Sequence, residues 1–178
     1  MGSHSMRTKQ NTKTTVLAGL MIAMSIILTR LLSINISNEI RISFGNFPIL
    51  LSGFLFGPII GAVVGFSADF VGANIFGIGW NPLLSVSPVV IAVVAGFSGK
   101  LLKRNITYFR LVALSSLGYV LGPIFWTTYI LSKMYGAPMS VLLYARVPIY
   151  VVTLLIDCLF IFSLYKQKAI RKRLDEYW

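Results

Sequence analysis

Acidic residues are scarce in this chain: five Asp and Glu stand against 16 Lys and Arg, for a formal net charge of +11 over 178 residues. Charge of either sign is thin, at 12%, beside 56% hydrophobic residues and a mean hydropathy of +0.80. That composition excludes a soluble domain of this length and leaves an integral membrane protein. Cysteine occurs once, at Cys158 in the last apolar run, which excludes an intrachain disulfide and a Cys-based zinc cluster and leaves a core thiol. Histidine occurs once, at His4, within a Met1-Gly-Ser-His-Ser-Met6 start that reads as an expression scar. No His-based metal motif, Walker A sequence or nucleophile elbow is present, so the chain is not expected to hydrolyse ATP by itself. The apolar run from Val16 lacks a small-residue cleavage site and is expected to stay as a span rather than leave as a signal peptide.

What is present is apolar sequence interrupted by a few costly charges. Six spans of about 20 residues, at about 1.5 Å per residue, would use most of the chain and leave no room for a second domain. The fold class predicted is an all-α integral membrane protein, a single bundle of six transmembrane helices. Its divisions are the scar at 1–6, a basic leader at 7–15, the bundle at 16–165 and a basic tail at 166–178. Span one runs from Val16 to Ser33, and its Gly19 and Ala23 form a small-xxx-small pair that lets another helix approach closely. Residues Ile34 to Ile42 alternate apolar and polar, the period of an extended loop rather than a helix.

Helix two is expected from Gly45 to Phe56, with Pro48 tolerated in its first turn, and Gly57-Pro58 ends it. Span three follows from Ile59 to Phe76. Glycines recur every fourth position at Gly53, Gly57, Gly61 and Gly65, which predicts a tight turn and closely packed helices. Gly77 to Pro82 reads as a loop carrying Trp80 and the turn signal Asn81-Pro82. Spans four, five and six are expected at 83–102, kinked at Pro88, at 111–131, and at 145–165, with a loop from Lys133 to Tyr144 and Arg146 at the mouth of the last span.

The basic residues cluster where apolar runs end. Arg7, Lys9, Lys13, Lys100, Lys103, Arg104, Arg110, Lys166, Lys168, Arg171, Lys172 and Arg173 account for twelve of the 16. The positive-inside rule then places both termini in the cytoplasm, with an even number of spans. The charge reports topology in a lipid bilayer and not nucleic-acid binding. Arg30, Arg41, Lys133 and Arg146 fall on the opposite side, where the rule disfavours them unless something uses them.

Three of these four are arginines, suited to bidentate carboxylate recognition. Phe44, Asn74, Trp80, Asn81, Trp126, Tyr129, Tyr144 and Tyr150 share their side, a set that suits a flat heteroaromatic ligand carrying an acid or, for the aromatics, an interfacial belt. A charge in hydrocarbon costs roughly 2.5–3.5 kcal/mol on insertion scales, so buried charges need a partner or a site. Arg30 either snorkels to the headgroups or turns inward. Asp69 either pairs with Arg30 or accepts hydrogen bonds from ligand nitrogens, and Asp157 reads as structural or as a helix contact. The short, broken helix two has no twin in the second half, which argues against a self-sufficient transporter of the inverted-repeat type.

Six spans, both ends inside, the Gly19/Ala23 face and the motif Phe56-Gly-Pro-Ile-Ile-Gly-Ala-Val-Val-Gly-Phe-Ser-Ala-Asp69 resemble the S components of energy-coupling factor vitamin transporters. Arg30, the loop ending Ile40-Arg-Ile-Ser-Phe44, Pro48, Gly53-Phe-Leu-Phe-Gly-Pro58 and Asp69 are most similar to the folate-specific members. The resemblance covers nearly the whole chain after the scar. It implies a multi-pass protein of the bacterial plasma membrane, without catalytic residues, metal or cofactor, that captures folate at the outer face. It also implies partners, namely one transmembrane coupling protein and two ATPases, with Gly19 and Ala23 at the coupling interface where the family carries Ala-xxx-Ala. Arg30, Arg41 and Arg146 are then candidates for the glutamate carboxylates and Asp69 with Asn74 or Asn81 for the pterin edge. Phe44, Trp80 and Tyr150 are candidates for stacking on the rings. The alternatives are thiamine, riboflavin or pantothenate in the same role, or a small membrane enzyme or scaffold built on Asp69 and Asp157.

Overall fold

A computed structural model describes residues 2–35, 41–77, 79–102 and 107–166, the side chains among 2–11 and at 35 and 41 excepted. Helix α1 covers Gly2–Ile26 and continues through a π-helical turn, Ile27–Leu31. The leader at 7–15 and the first span are therefore one helix. A two-residue antiparallel ladder follows, strand β1 (Ile34–Asn35) with β2 (Arg41–Ile42), Ile34 facing Ile42. The two ends of the alternating stretch are thus extended backbone, and residues 36–40 between them lie outside the described residues.

Helix α2, Asn46–Ile75, is broken at Gly57, whose φ of 85° and ψ of 176° belong to a region only glycine occupies at low cost. Its two arms fold back on each other, and a Cβ added at Gly61 would lie 2.7 Å from Gly53 Cα. The turn expected at Gly57-Pro58 is there. Helix α3, Pro82–Leu102, seals this hairpin and runs through Pro88 without a break. A Cβ at Gly53 would meet Ala92 O at 2.3 Å, one at Gly65 would meet Pro88 O at 2.8 Å, and one at Gly96 would meet Pro58 N at 2.3 Å. The four-residue glycine period is therefore backbone contact between helices, the small-residue packing that drives association where lipid gives no hydrophobic gain.

Helix α4 (Tyr108–Tyr119), a second π-helical stretch (Val120–Trp126) and helix α5 (Thr127–Tyr135) form one rod. Helix α6, Met139–Tyr165, returns after three residues. The long loop expected over 133–144 is thus nearly all helix. Among the described residues, five helices are long and apolar enough to cross a membrane, and α2 counts as one of them although Gly57 divides it. The buried core is drawn from α2, α3, α4 and α6, with Leu50, Ile91, Ala92, Leu102, Leu111, Tyr119 and Cys158 nearly or fully enclosed. Large apolar side chains such as Ile59, Leu101, Phe109 and Val152 cover the outside, as a bilayer requires. The basic tail from 167 onward and loop 103–106 lie outside the described residues.

Candidate functional site

The first polar cluster forms where α1 ends and α3 begins. Arg30 sits in the π-helical turn of α1, its side chain 8% exposed, with Nη2 3.7 Å from Asp69 Oδ1. Gly72, one turn beyond Asp69 on α2, makes room for it: a Cβ there would stand 3.4 Å from Arg30 Nε. Arg30 therefore turns inward rather than snorkelling. Asp69 Oδ2 accepts a hydrogen bond from Ser85 Oγ at 2.6 Å, and Ser85 Oγ accepts one from Trp80 Nε1 at 2.7 Å. The Trp80 ring stands edge-on to Phe70 (5.0 Å between centroids) and Phe66 (6.0 Å). Acid, base and aromatic wall are thus one connected unit, with the charges mutually compensated as an apolar setting demands.

The second cluster lines the inner face of α6, where Arg146, Tyr150, Thr153, Leu154, Asp157 and Cys158 recur at helical spacing. Arg146 is 4% exposed. Because α6 begins at Met139, Arg146 lies about two turns inside the helix and not at its mouth. Its Nη2 donates to Pro123 O (3.2 Å) and to Tyr150 Oη (3.0 Å), and the guanidinium lies 5.2 Å from the Tyr150 ring centre. Pro123 belongs to the π-helical stretch, and its carbonyl also accepts from Thr128 Oγ1 at 3.4 Å. Tyr150 packs edge-on against Tyr119 (6.5 Å), whose hydroxyl donates to Asp157 Oδ2. Asp157 is fully buried, and its Oδ1 has no hydrogen-bond partner among the described residues. Asp157 is thereby part of the α4–α6 contact. The two clusters flank the first turns of α3: Ser85 belongs to the first, and the backbone of Ser87 lies against Gly122, beside Pro123.

The remaining candidates are placed less centrally. Asn81 caps α3: its Oδ1 accepts from Leu83 N at 3.0 Å and its carbonyl from Leu84 N and Ser85 N, while its Nδ2 reaches Met134 Sδ at 3.3 Å. Asn74 is exposed and donates to Phe70 O on its own helix. Phe44 is half-buried, at the turn into α2, where its carbonyl accepts from Phe47 N. The Arg41 side chain lies outside the described residues, and its backbone closes the two-strand ladder. Gly19 and Ala23 stand on an exposed face of α1 beside Val16, Leu20 and Ile27, and a Cβ at Gly19 would meet nothing within 4 Å. Sequence reasoning passed over Ser85 and Tyr119. A serine carries no charge to mark it, whereas a tyrosine facing a helix core is a signal, because its buried hydroxyl needs a partner.

Comparison with known proteins bears on this arrangement. A family model described as the S component of the ECF-type riboflavin transporter matches residues 9–171. The folate transporter FolT of Clostridium novyi (strain NT) is 42% identical over 77 residues, a stretch spanning 43% of this chain and 44% of that protein, less than half its length. The crystal structure of FolT bound with folic acid superposes with a TM-score of 0.76 at 27% identity, over 88% of this chain and 95% of that one. The S component of a bacterial ECF transporter superposes at 0.62 with 17% identity, over 89% of this chain and 96% of that one, a likeness in fold alone. With residues 9–171 inside one family model, the chain belongs to the ECF-type riboflavin transporter S-component family, and is a multi-pass membrane transport subunit rather than an enzyme.

Proposed function

We propose that this subunit binds folate at the outer face of the cell membrane, with both termini in the cytoplasm. It delivers folate inward together with a transmembrane coupling protein and two ATPases. The observation that carries the substrate is the likeness to folic-acid-bound FolT over 88% of the chain. The local chemistry is consistent with it. Folate joins an amino-pyrimidinone edge, rich in N–H donors, to a glutamate with two carboxylates. Asp69, its side chain 27% exposed, offers a carboxylate to the first. Arg146, buried beside Tyr150, with Arg41 on the ladder, is a cationic donor for the second, while Arg30 stays with Asp69. Trp80, bonded to the serine that meets Asp69, and Tyr150, beside Arg146, supply ring faces, and Phe44 at the turn into α2 is a further candidate. Asn81 Oδ1 already accepts from Leu83 N, Asn74 is exposed, and a carboxylate accepts more strongly than an amide oxygen, so the pterin edge rests mainly on Asp69. Gly19 and Ala23, on an uncovered face of α1, suit close approach by a helix of the coupling protein.

The family model's own description favours riboflavin as the second reading. Riboflavin has no carboxylate, which leaves the arginines without an acid to recognise. Tryptophan fluorescence titration of the purified full chain in detergent separates the two. Folate is expected to quench at low concentration, with riboflavin and thiamine inert. No quenching by folate alongside quenching by riboflavin would reverse the assignment.

A further inference from the structure

Ser85 is nearly fully buried at the start of α3, and its hydroxyl is bonded on both sides. The directions are fixed by chemistry. An indole N–H can only donate, so Ser85 Oγ accepts from Trp80. An ionised carboxylate can only accept, so the Ser85 proton points to Asp69 Oδ2. Arg30 contributes a looser contact to the other oxygen, since 3.7 Å is beyond hydrogen-bond length. Oδ2 is thus engaged, and Oδ1 is the oxygen with acceptor capacity left. The far end of the relay does not drift, because the Trp80 ring is seated edge-on against both Phe70 and Phe66.

We propose that Ser85 is a positioning residue for the substrate: oriented by the Trp80 indole, it fixes the plane of the Asp69 carboxylate so that Oδ1 meets an N–H donor edge of the ligand. The aromatic wall and the acid then act as one recognition unit, although Trp80 and Asp69 do not touch. This rests on the ligand-binding reading above for the place of the site, and it adds the residue that aims Asp69.

The test uses the purified full chain in detergent, labelled with 15N-tryptophan. The chain holds three tryptophans, and the Trp80 indole N–H signal is the one that vanishes in Trp80→Phe. It is expected to move in Ser85→Ala and, through the relay, in Asp69→Asn. In parallel, folate affinity is expected to fall about tenfold in Ser85→Ala and in Trp80→Phe, as for loss of one charge-assisted hydrogen bond. The Ser85→Ala/Trp80→Phe double variant is expected to lose no more than the worse single, and Ser85→Thr, which keeps the hydroxyl, to retain affinity. An indole signal unmoved by Asp69→Asn, or additive losses in the double variant, would overturn the relay. Where Ser85→Ala does not fold, the Trp80→Phe and Asp69→Asn measurements decide. If the wild-type chain binds riboflavin and not folate, the folate reading fails alone. The indole measurement needs no ligand, and the affinities are then taken with riboflavin.

Discussion

Gly96 tests the packing that holds the candidate site in place. A methyl group there would lie 2.3 Å from Pro58 N, 2.5 Å from Pro58 Cα and 2.7 Å from Gly57 C. Carbon contacts prefer about 3.5 Å or more, so α3 and the turn of α2 must separate by roughly 1 Å or take the strain. All three atoms are backbone, two of Pro58 and one of Gly57, whose φ of 85° already confines the chain, so no side chain can swing away. Overpacking costs about 1–3 kcal/mol and occasionally more. Alanine's better helix propensity offsets at most about 1 kcal/mol, so from the upper end of that range Gly96→Ala is placed at a net cost of about 2 kcal/mol. For a chain of this size that lowers Tm by roughly 4–8 °C. Cys158, the single cysteine, fully buried and unpaired, gives the assay, since a thiol-reactive dye fluoresces only as the bundle opens. Gly19→Ala is the matched control, because a Cβ there meets nothing within 4 Å, and it is expected to melt with the parent or up to about 4 °C above it, from the gain in helix propensity. A Gly96→Ala protein melting within 2 °C of the parent, on the roughly 2–4 °C per kcal/mol scale, would refute the close approach of α3 to the Gly57 turn.

The other expectations concern the second cluster and the uncovered face of α1. Tyr119→Phe removes the donor to Asp157 Oδ2 and leaves a fully buried carboxyl without that bond. The expected loss is about 1–3 kcal/mol, read by the same dye, and an unchanged melting point would show that the bond contributes nothing. Gly19→Leu fills the open groove on α1 and is expected to abolish folate uptake in cells that co-express the coupling protein and both ATPases, while folate binding by the purified chain stays intact. Uptake at the parent's rate would remove Gly19 from the coupling interface.

How much of this was legible in the sequence depends on how local each signal is. Gly57-Pro58 announced the break because both residues restrict or free their own backbone angles, and the glycines every fourth position announced close helix contact because the period is that of a helix face. The alternation pointed to the extended backbone at Ile34–Asn35 and Arg41–Ile42 for the same reason. Pairing of Arg30 with Asp69 was an open alternative from cost alone, since two opposite charges in apolar sequence do better together. Arg146 was misjudged because its meaning depends on where α6 begins, and the signals for that start, Gly136 in the left-handed region and Pro138 before Met139, stand well upstream of it. The carbonyl that receives Arg146 belongs to a π-helical stretch, which no residue type encodes. Ser85 was invisible for a third reason: its importance lies entirely in two neighbours brought to it from α2 and from the connection before α3.

The two π-helical turns, Ile27–Leu31 and Val120–Trp126, also bear on how such a protein can change over time. A π-turn closes i→i+5 hydrogen bonds where the regular helix closes i→i+4, so each stretch takes up more residues per turn than the α-helix around it. Removing Leu28 would restore ordinary winding and carry Arg30 back by one position, about 100° around the axis and away from Asp69. A one-codon change could therefore switch an arginine between a site and its surroundings while the bundle stays the same. Ligand preference in such a bundle can then diverge by register as readily as by substitution.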